Sequence, residues 1–163
     1  MKVGIVMGSD SDFPVVEKAL AVFKDFGVEV ECRVLSAHRT PDQAAEFAKT
    51  AEERGLSVIL GFAGMAAHLP GVLAAMTTLP VIGVPVTSGA LQGMDAMLAM
   101  VQMPPGIPVA TVAVNGGKNA AILAIQMMAL KSDDLKEKLH ANKVEQAAAV
   151  LKKDQMMQER IKG

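Results

Sequence analysis

Short apolar runs ended by glycine or a polar loop alternate along this chain with segments of helical period, and that alternation limits the fold more than any other feature. Gly4 to Met7 (GIVM) closes at Gly8, and after "GSDSDF" a helical pattern starts at Pro14. Val15, Val16, Ala19, Leu20, Val22, Phe23 and Phe26 keep a period near 3.6, and Gly27 suits a C-terminal cap. Val28 to Leu35 (VEVECRVL) alternates apolar and charged residues, as a strand with one wet face does. Thr40 then serves as N-cap, with Pro41 at the first helical position, Gln43 completing a capping box, and a helix predicted to run to about Arg54 and stop at Gly55. Leu56 to Phe62, Val81 to Val86 and Ile107 to Val114 read as strands covered on both faces, each followed by a loop and a helical stretch.

Five strand–helix units in strict order predict a parallel sheet with helices on both sides, because crossovers are right-handed. The predicted fold is a flavodoxin-like three-layer sandwich with strand order 2-1-3-4-5, which puts the half-wet second strand at an edge. Residues 131–163 add one amphipathic helix or a pair to this 1–130 core, and the whole reads as a single domain.

Charge is unevenly spread. Residues 61–130 carry only Asp95 and Lys118, against 17 charged side chains in residues 1–60 and 14 in residues 131–163. The helical pieces at Val72 to Met76, Met94 to Met103 and Ala120 to Leu130 are apolar on nearly every side, so they require cover, and burial between subunits of a homo-oligomer is expected. A methionine-rich monomeric core is the other solution. Glycines and prolines interrupt the stretch too often for a membrane helix. A net charge of -1 leaves no basic footprint for nucleic acid or an anionic membrane. With Cys32 alone there is no intrachain disulfide, and the N-terminus reads straight into a strand, so the expected location is the cytoplasm.

Ligands of such sheets bind outside the carboxyl ends of the strands. The loop after strand one offers Ser9, Ser11 and Asp12, where hydroxyls and amides favour a phosphate and a carboxylate favours sugar hydroxyls; capping of the next helix by Ser11 or Asp12 is the plainer role. The loop after strand two, "SAHRT", holds Ser36, the proton carrier His38 and the anion-binding Arg39, although a solvated loop has the same composition. After strand three, Ala63, Gly64 and Met65 let backbone approach a ligand, and His68 follows near a helix start. No G-x-G-x-x-G or phosphate-loop lysine motif occurs, and the three histidines have no sequence-local metal partners, so no cofactor and no metal are expected.

Taken together, "GSDSD", "SAHRTP", "AGMAAHLPG", "GVPV" and "VQMPPGIPVATVAV" resemble the class I N5-carboxyaminoimidazole ribonucleotide mutase family of purine biosynthesis. The resemblance implies a flavodoxin-like subunit in an octamer, no cofactor, and a carboxylate shifted from the exocyclic nitrogen of the substrate to the adjacent ring carbon. By the family's pattern Ser9, Asp12 and Arg39 bind the ribonucleotide, Ser11 and Ser36 neighbour its phosphate or ribose, and the Ala63 and Gly64 backbone lies near the migrating carboxylate. His38 matches the general acid-base residue, and His68 would orient the carboxylate or His38. The sequence departs from the pattern at Met65, where a second glycine is common, and in the short "NGGKN" loop. Two other functions share these loops: direct carboxylation of aminoimidazole ribonucleotide, in which the "AAHLPG" loop differs, and a non-enzymatic phosphosugar-binding or electron-carrying module. The absence of Trp and Tyr speaks against a stacked flavin.

Overall fold

A computed structural model describes all 163 residues. Its sheet is parallel throughout, with the order β2-β1-β3-β4-β5 expected from sequence. The strands are β1 (Lys2–Met7), β2 (Glu29–Val34), β3 (Leu56–Ala63), β4 (Val81–Pro85) and β5 (Ala110–Thr111). The helices are α1 (Phe13–Phe26), α2 (Pro41–Lys49), α3 (Leu69–Ala74), α4 (Met94–Val101), α5 (Gly117–Ala129) and α6 (Asp133–Lys162). One core lies between the sheet and α1 with α5, built on Val3, Ile5, Phe23, Leu60, Phe62, Ile82 and Ile125. The other face packs Phe47, Ile59, Leu73 and Met100 beneath α2, α3 and α4. α5 sits so close to α1 that a Cβ on Gly117 would meet the Val15 carbonyl oxygen at 2.3 Å.

Strand β2 lies at the edge as expected, with no residue of Glu29–Val34 fully buried, but the alternation is not kept: Val34 is exposed and Glu31 is half-buried. Glu31 on it accepts from Lys2 Nζ at 3.0 Å and Arg54 Nε at 3.2 Å. Burial works to raise its carboxyl, but these two cations outweigh burial and hold it below the usual range.

Three boundaries differ from the sequence reading. α2 ends at Lys49 instead of Arg54, where the Thr50 N–H and hydroxyl share the Glu46 carbonyl at 3.1 and 2.8 Å, and the chain continues as turns to Gly55. Thr40 does precede Pro41 at the helix start, but the capping box does not form. Its hydroxyl instead accepts from the Ser36 N–H at 2.8 Å and donates to the Ser36 carbonyl at 3.1 Å. β5 keeps two residues where eight were expected. Pro85 turns its carbonyl toward this strand, accepting from the Asn115 N–H at 2.8 Å, and its ring nitrogen on the same side has no hydrogen to offer. Regular pairing stops there.

The C-terminal segment is a single helix, and α6 is 30 residues long, roughly 45 Å. Only its first turns touch the body: Leu135 is buried, and Lys138 Nζ donates to the Phe26 carbonyl at 3.2 Å. Every residue from Lys143 to Gly163 is exposed. No helix is long and apolar enough to cross a membrane.

Phe23, with no exposed surface, anchors the α1 face of the core. Phe23→Ala is expected to cost about 3–5 kcal/mol, read as a lowered urea midpoint with an unchanged slope.

Candidate functional site

The sheet's central strand determines where the site falls. Met7 pairs with Val34 on one side and Phe62 on the other, so β1, β2 and β3 release their chains almost level. The Gly8 N–H still reaches Phe62 O at 3.0 Å, and the Leu35 N–H reaches Met7 O at 2.9 Å. Between these exits and the loop after β4 lies a cavity of about 510 Å³ lined by Ser9, Ser11, Asp12, Ser36, His38, Arg39, Ala63, Gly64 and five further loop or helix residues besides Gly8.

The first loop coils into a single 3-10 turn, Asp10–Asp12, which the sequence reading did not resolve from the polar run around it. Ser9 caps that turn, its Oγ accepting from the Ser11 N–H at 3.3 Å and lying 3.0 Å from Ser11 Oγ. The Asp12 carboxylate turns back to accept from the Ser9 N–H at 3.2 Å, closing a capping box with Ser9 on the turn that leads into α1, and makes no cap bond to α1 itself. Asp12 is the one buried polar or charged side chain of the protein. Burial pushes its carboxyl above the usual aspartate value, helped by nearby Asp10 and opposed by the backbone amides of Ser9 and Gly8.

The second loop is organised by Ser36. Its Oγ accepts from the N–H groups of His38 at 3.3 Å and Arg39 at 3.2 Å, which fixes both side chains at the cavity rim. Arg39 Nη2 donates to Gly8 O at 3.3 Å, leaving the rest of the guanidinium fork available to an anion. His38 Nε2 stands 2.9 Å from His68 Nδ1, with the rings 5.0 Å apart and nearly perpendicular. His68, 30 residues away in sequence, thus joins the site through His38.

The third loop is the cavity floor. A Cβ on Gly64 would lie 2.7 Å from Ser88 Cβ and 3.0 Å from Val86 O, so only glycine lets β3 and β4 leave the sheet this close. Met65 then adopts φ 55°, a left-handed conformation that costs an L side chain about 1–2 kcal/mol. Every residue singled out from sequence falls on or against this one cavity. Ser88, in the polar loop expected after strand four, lines it as well; Ala66 and Leu69 also line it and were not singled out, Leu69 reading only as a buried helix residue. No group of three or more His, Cys, Asp or Glu side chains gathers as a set that could hold a metal.

Fold and cavity together define a flavodoxin-like α/β protein with its site at the switch point between β1 and β3. A family model described as AIR carboxylase matches residues 2–149. An N5-carboxyaminoimidazole ribonucleotide mutase of Pyrococcus abyssi is 61% identical over 138 residues, 85% of this chain and 79% of that protein. One of Thermotoga maritima is 49% identical over 158 residues, 97% of this chain and 92% of that one. Among solved structures, Treponema denticola PurE aligns with a TM-score of 0.83 at 29% identity, over 94% of this chain and 96% of that one. The chain belongs to the AIR carboxylase family.

Because the folded state holds Asp12 above its ordinary pKa, the fold is favoured while this group is protonated. That advantage is lost as pH rises from the ordinary aspartate value through the raised one. Asp12→Asn is therefore expected to raise the urea midpoint at pH 7 more than at pH 3, while weakening ligand binding; an equal effect at both values would remove burial of the charge as the cause.

Proposed function

We propose that this enzyme converts N5-carboxyaminoimidazole ribonucleotide to 4-carboxy-5-aminoimidazole ribonucleotide, the isomerisation named for its relatives in Pyrococcus and Thermotoga, as a step of purine biosynthesis. The observation that carries the chemistry is the meeting of His38 with an anion grip and a tight backbone floor in one cavity. Arg39, with most of its fork free, holds the phosphate alongside the Ser9, Ser11 and Ser36 hydroxyls. The buried Asp12 carboxylate accepts from ribose hydroxyls, and the Ala63 and Gly64 backbone borders the carboxylate.

In the reaction the bond between the exocyclic nitrogen and its carboxylate breaks, its electrons return to the nitrogen, and carbon dioxide is released within the cavity. The nitrogen gains a proton. The adjacent ring carbon then attacks the trapped carbon dioxide, and the proton on that carbon departs so that aromaticity returns. One proton is given and one is taken, so His38, a single group serving both steps, ends as it began. Confinement supplies the second step with a high effective concentration of carbon dioxide. His68 orients the His38 ring through their shared hydrogen bond. No cofactor or metal takes part.

The subunit is read as one domain, 1–130 with the helical extension 131–163, working in the cytoplasm as a homo-octamer. What supports assembly is exposed apolar surface. Leu91, Met94, Leu98 and Val101 are between 49% and 62% exposed and follow one stripe on α4 and the turn before it. On α6, Val144, Ala147, Ala148 and Leu151 follow the helical i, i+3, i+4, i+7 spacing along its exposed part.

Purified protein given N5-carboxyaminoimidazole ribonucleotide without ATP is expected to form the 4-carboxylated product. Conversion only of aminoimidazole ribonucleotide with bicarbonate, in a parallel sample, would instead identify a direct carboxylase. His38→Asn is expected to bind substrate normally and lose about 10²–10⁴-fold in kcat; near-normal turnover excludes it as the proton carrier. Light scattering should give eight times the subunit mass, and Leu98→Lys with Val101→Glu should yield smaller species. A monomeric parent protein would refute assembly.

A further inference from the structure

Met65 occupies a position whose backbone suits glycine. At φ 55° it is one of three non-glycine residues in the left-handed region, and it alone of the three lines the cavity. Strain of this kind persists where surrounding structure enforces it, and it concentrates at functional positions. Here the enforcement is visible, since Gly64 is wedged against Ser88 and Val86 and the chain must turn at the next residue. A second glycine would make that turn freely. Instead the chain carries a long apolar side chain there, lining the cavity yet 56% exposed.

That side chain reaches the neighbouring loop. Met65 Cγ and Cε lie 3.7 and 4.0 Å from the point a Cβ on Gly89 would occupy, so the methionine rests on the loop after β4 where that loop has no side chain of its own. Gly89 is also left-handed, at φ 60°, and glycine there leaves the space that Met65 enters. One side chain therefore spans from the exit of β3 to the loop after β4, beside the cavity-lining Ser88.

We infer that Met65 is a gate that holds released carbon dioxide in the cavity until the ring carbon captures it. This rests on the mutase reading above. The ribonucleotide is retained by charges and hydroxyls, but carbon dioxide has no net charge and no hydrogen to donate, so Arg39, Asp12 and the serines offer it little. Its retention depends on closing the way out and keeping water away. Methionine suits both needs, being apolar and unbranched, with enough rotatable bonds to swing aside for substrate and product. The gate adds no step to the chemistry; it changes how the intermediate partitions between capture and escape.

The test uses substrate labelled in its carboxylate carbon, with excess unlabelled bicarbonate, and wild-type, Met65→Gly and Met65→Leu proteins, corrected for loss in an enzyme-free sample. Wild type and Met65→Leu are expected to deliver the label to the 4-carboxylate. Met65→Gly should lose label several-fold more, appearing as diluted product or as aminoimidazole ribonucleotide, with KM for the ribonucleotide unchanged. Its thermal midpoint should equal or exceed that of wild type, since glycine relieves the left-handed strain. Product from Met65→Gly with wild-type label content overturns the gate and leaves the mutase reading standing. Failure of the wild-type protein to convert the labelled substrate overturns the mutase reading itself.

Discussion

The site depends on the pairing of β1 with both of its neighbours. Because Met7 stands opposite Val34 and Phe62, three loops are released side by side, and main-chain bonds from Gly8 to Phe62 and from Leu35 to Met7 carry the alignment one residue beyond the strands. A slip of one residue in either ladder would turn the side chains of that strand to the opposite face of the sheet and move the histidine away from the serines. Continuous burial of Val3, Ile5, Leu60 and Phe62 is what forbids such a slip. Site geometry is thus a product of core packing.

Much of this was legible in the sequence because the signals were redundant. Strand order followed from the alternation of elements together with the half-wet pattern of Glu29–Val34, and the site followed from the rule that loops at the carboxyl ends converge. Where the reading missed, a local hydrogen bond or a missing one had redirected the backbone. Thr40 had two available partners, and the Ser36 main chain won over the helix start. Pro85 shortened β5 although β5's own residues have the composition of a strand; the deciding residue lay on the neighbour. The pairing of His38 with His68 was likewise invisible to spacing, since a separation of 30 residues has no meaning until the sheet places the two loops together.

Side chains of the site shape their loops as well as facing the cavity. Ser36 and Ser9 spend hydrogen-bonding capacity on loop amides, Ser36 on His38 and Arg39 and Ser9 on Ser11, so each organises its loop as well as facing the cavity. Asp12 shares that double part: its carboxylate closes a capping box on the Ser9 N–H and lines the cavity, while burial disfavours its charge.

The contact between His38 Nε2 and His68 Nδ1 has one further consequence. At 2.9 Å there is room for a single hydrogen between the two nitrogens, so with both rings neutral the tautomer of one dictates that of the other. If His38 donates, His68 carries its own hydrogen on Nε2; if His68 donates, the hydrogen of His38 is on Nδ1. The two arrangements interchange only when the bridging proton crosses and the outer nitrogens follow, Nδ1 of His38 gaining a hydrogen as Nε2 of His68 gives one up. The two imidazoles behave as one switch with two readable ends.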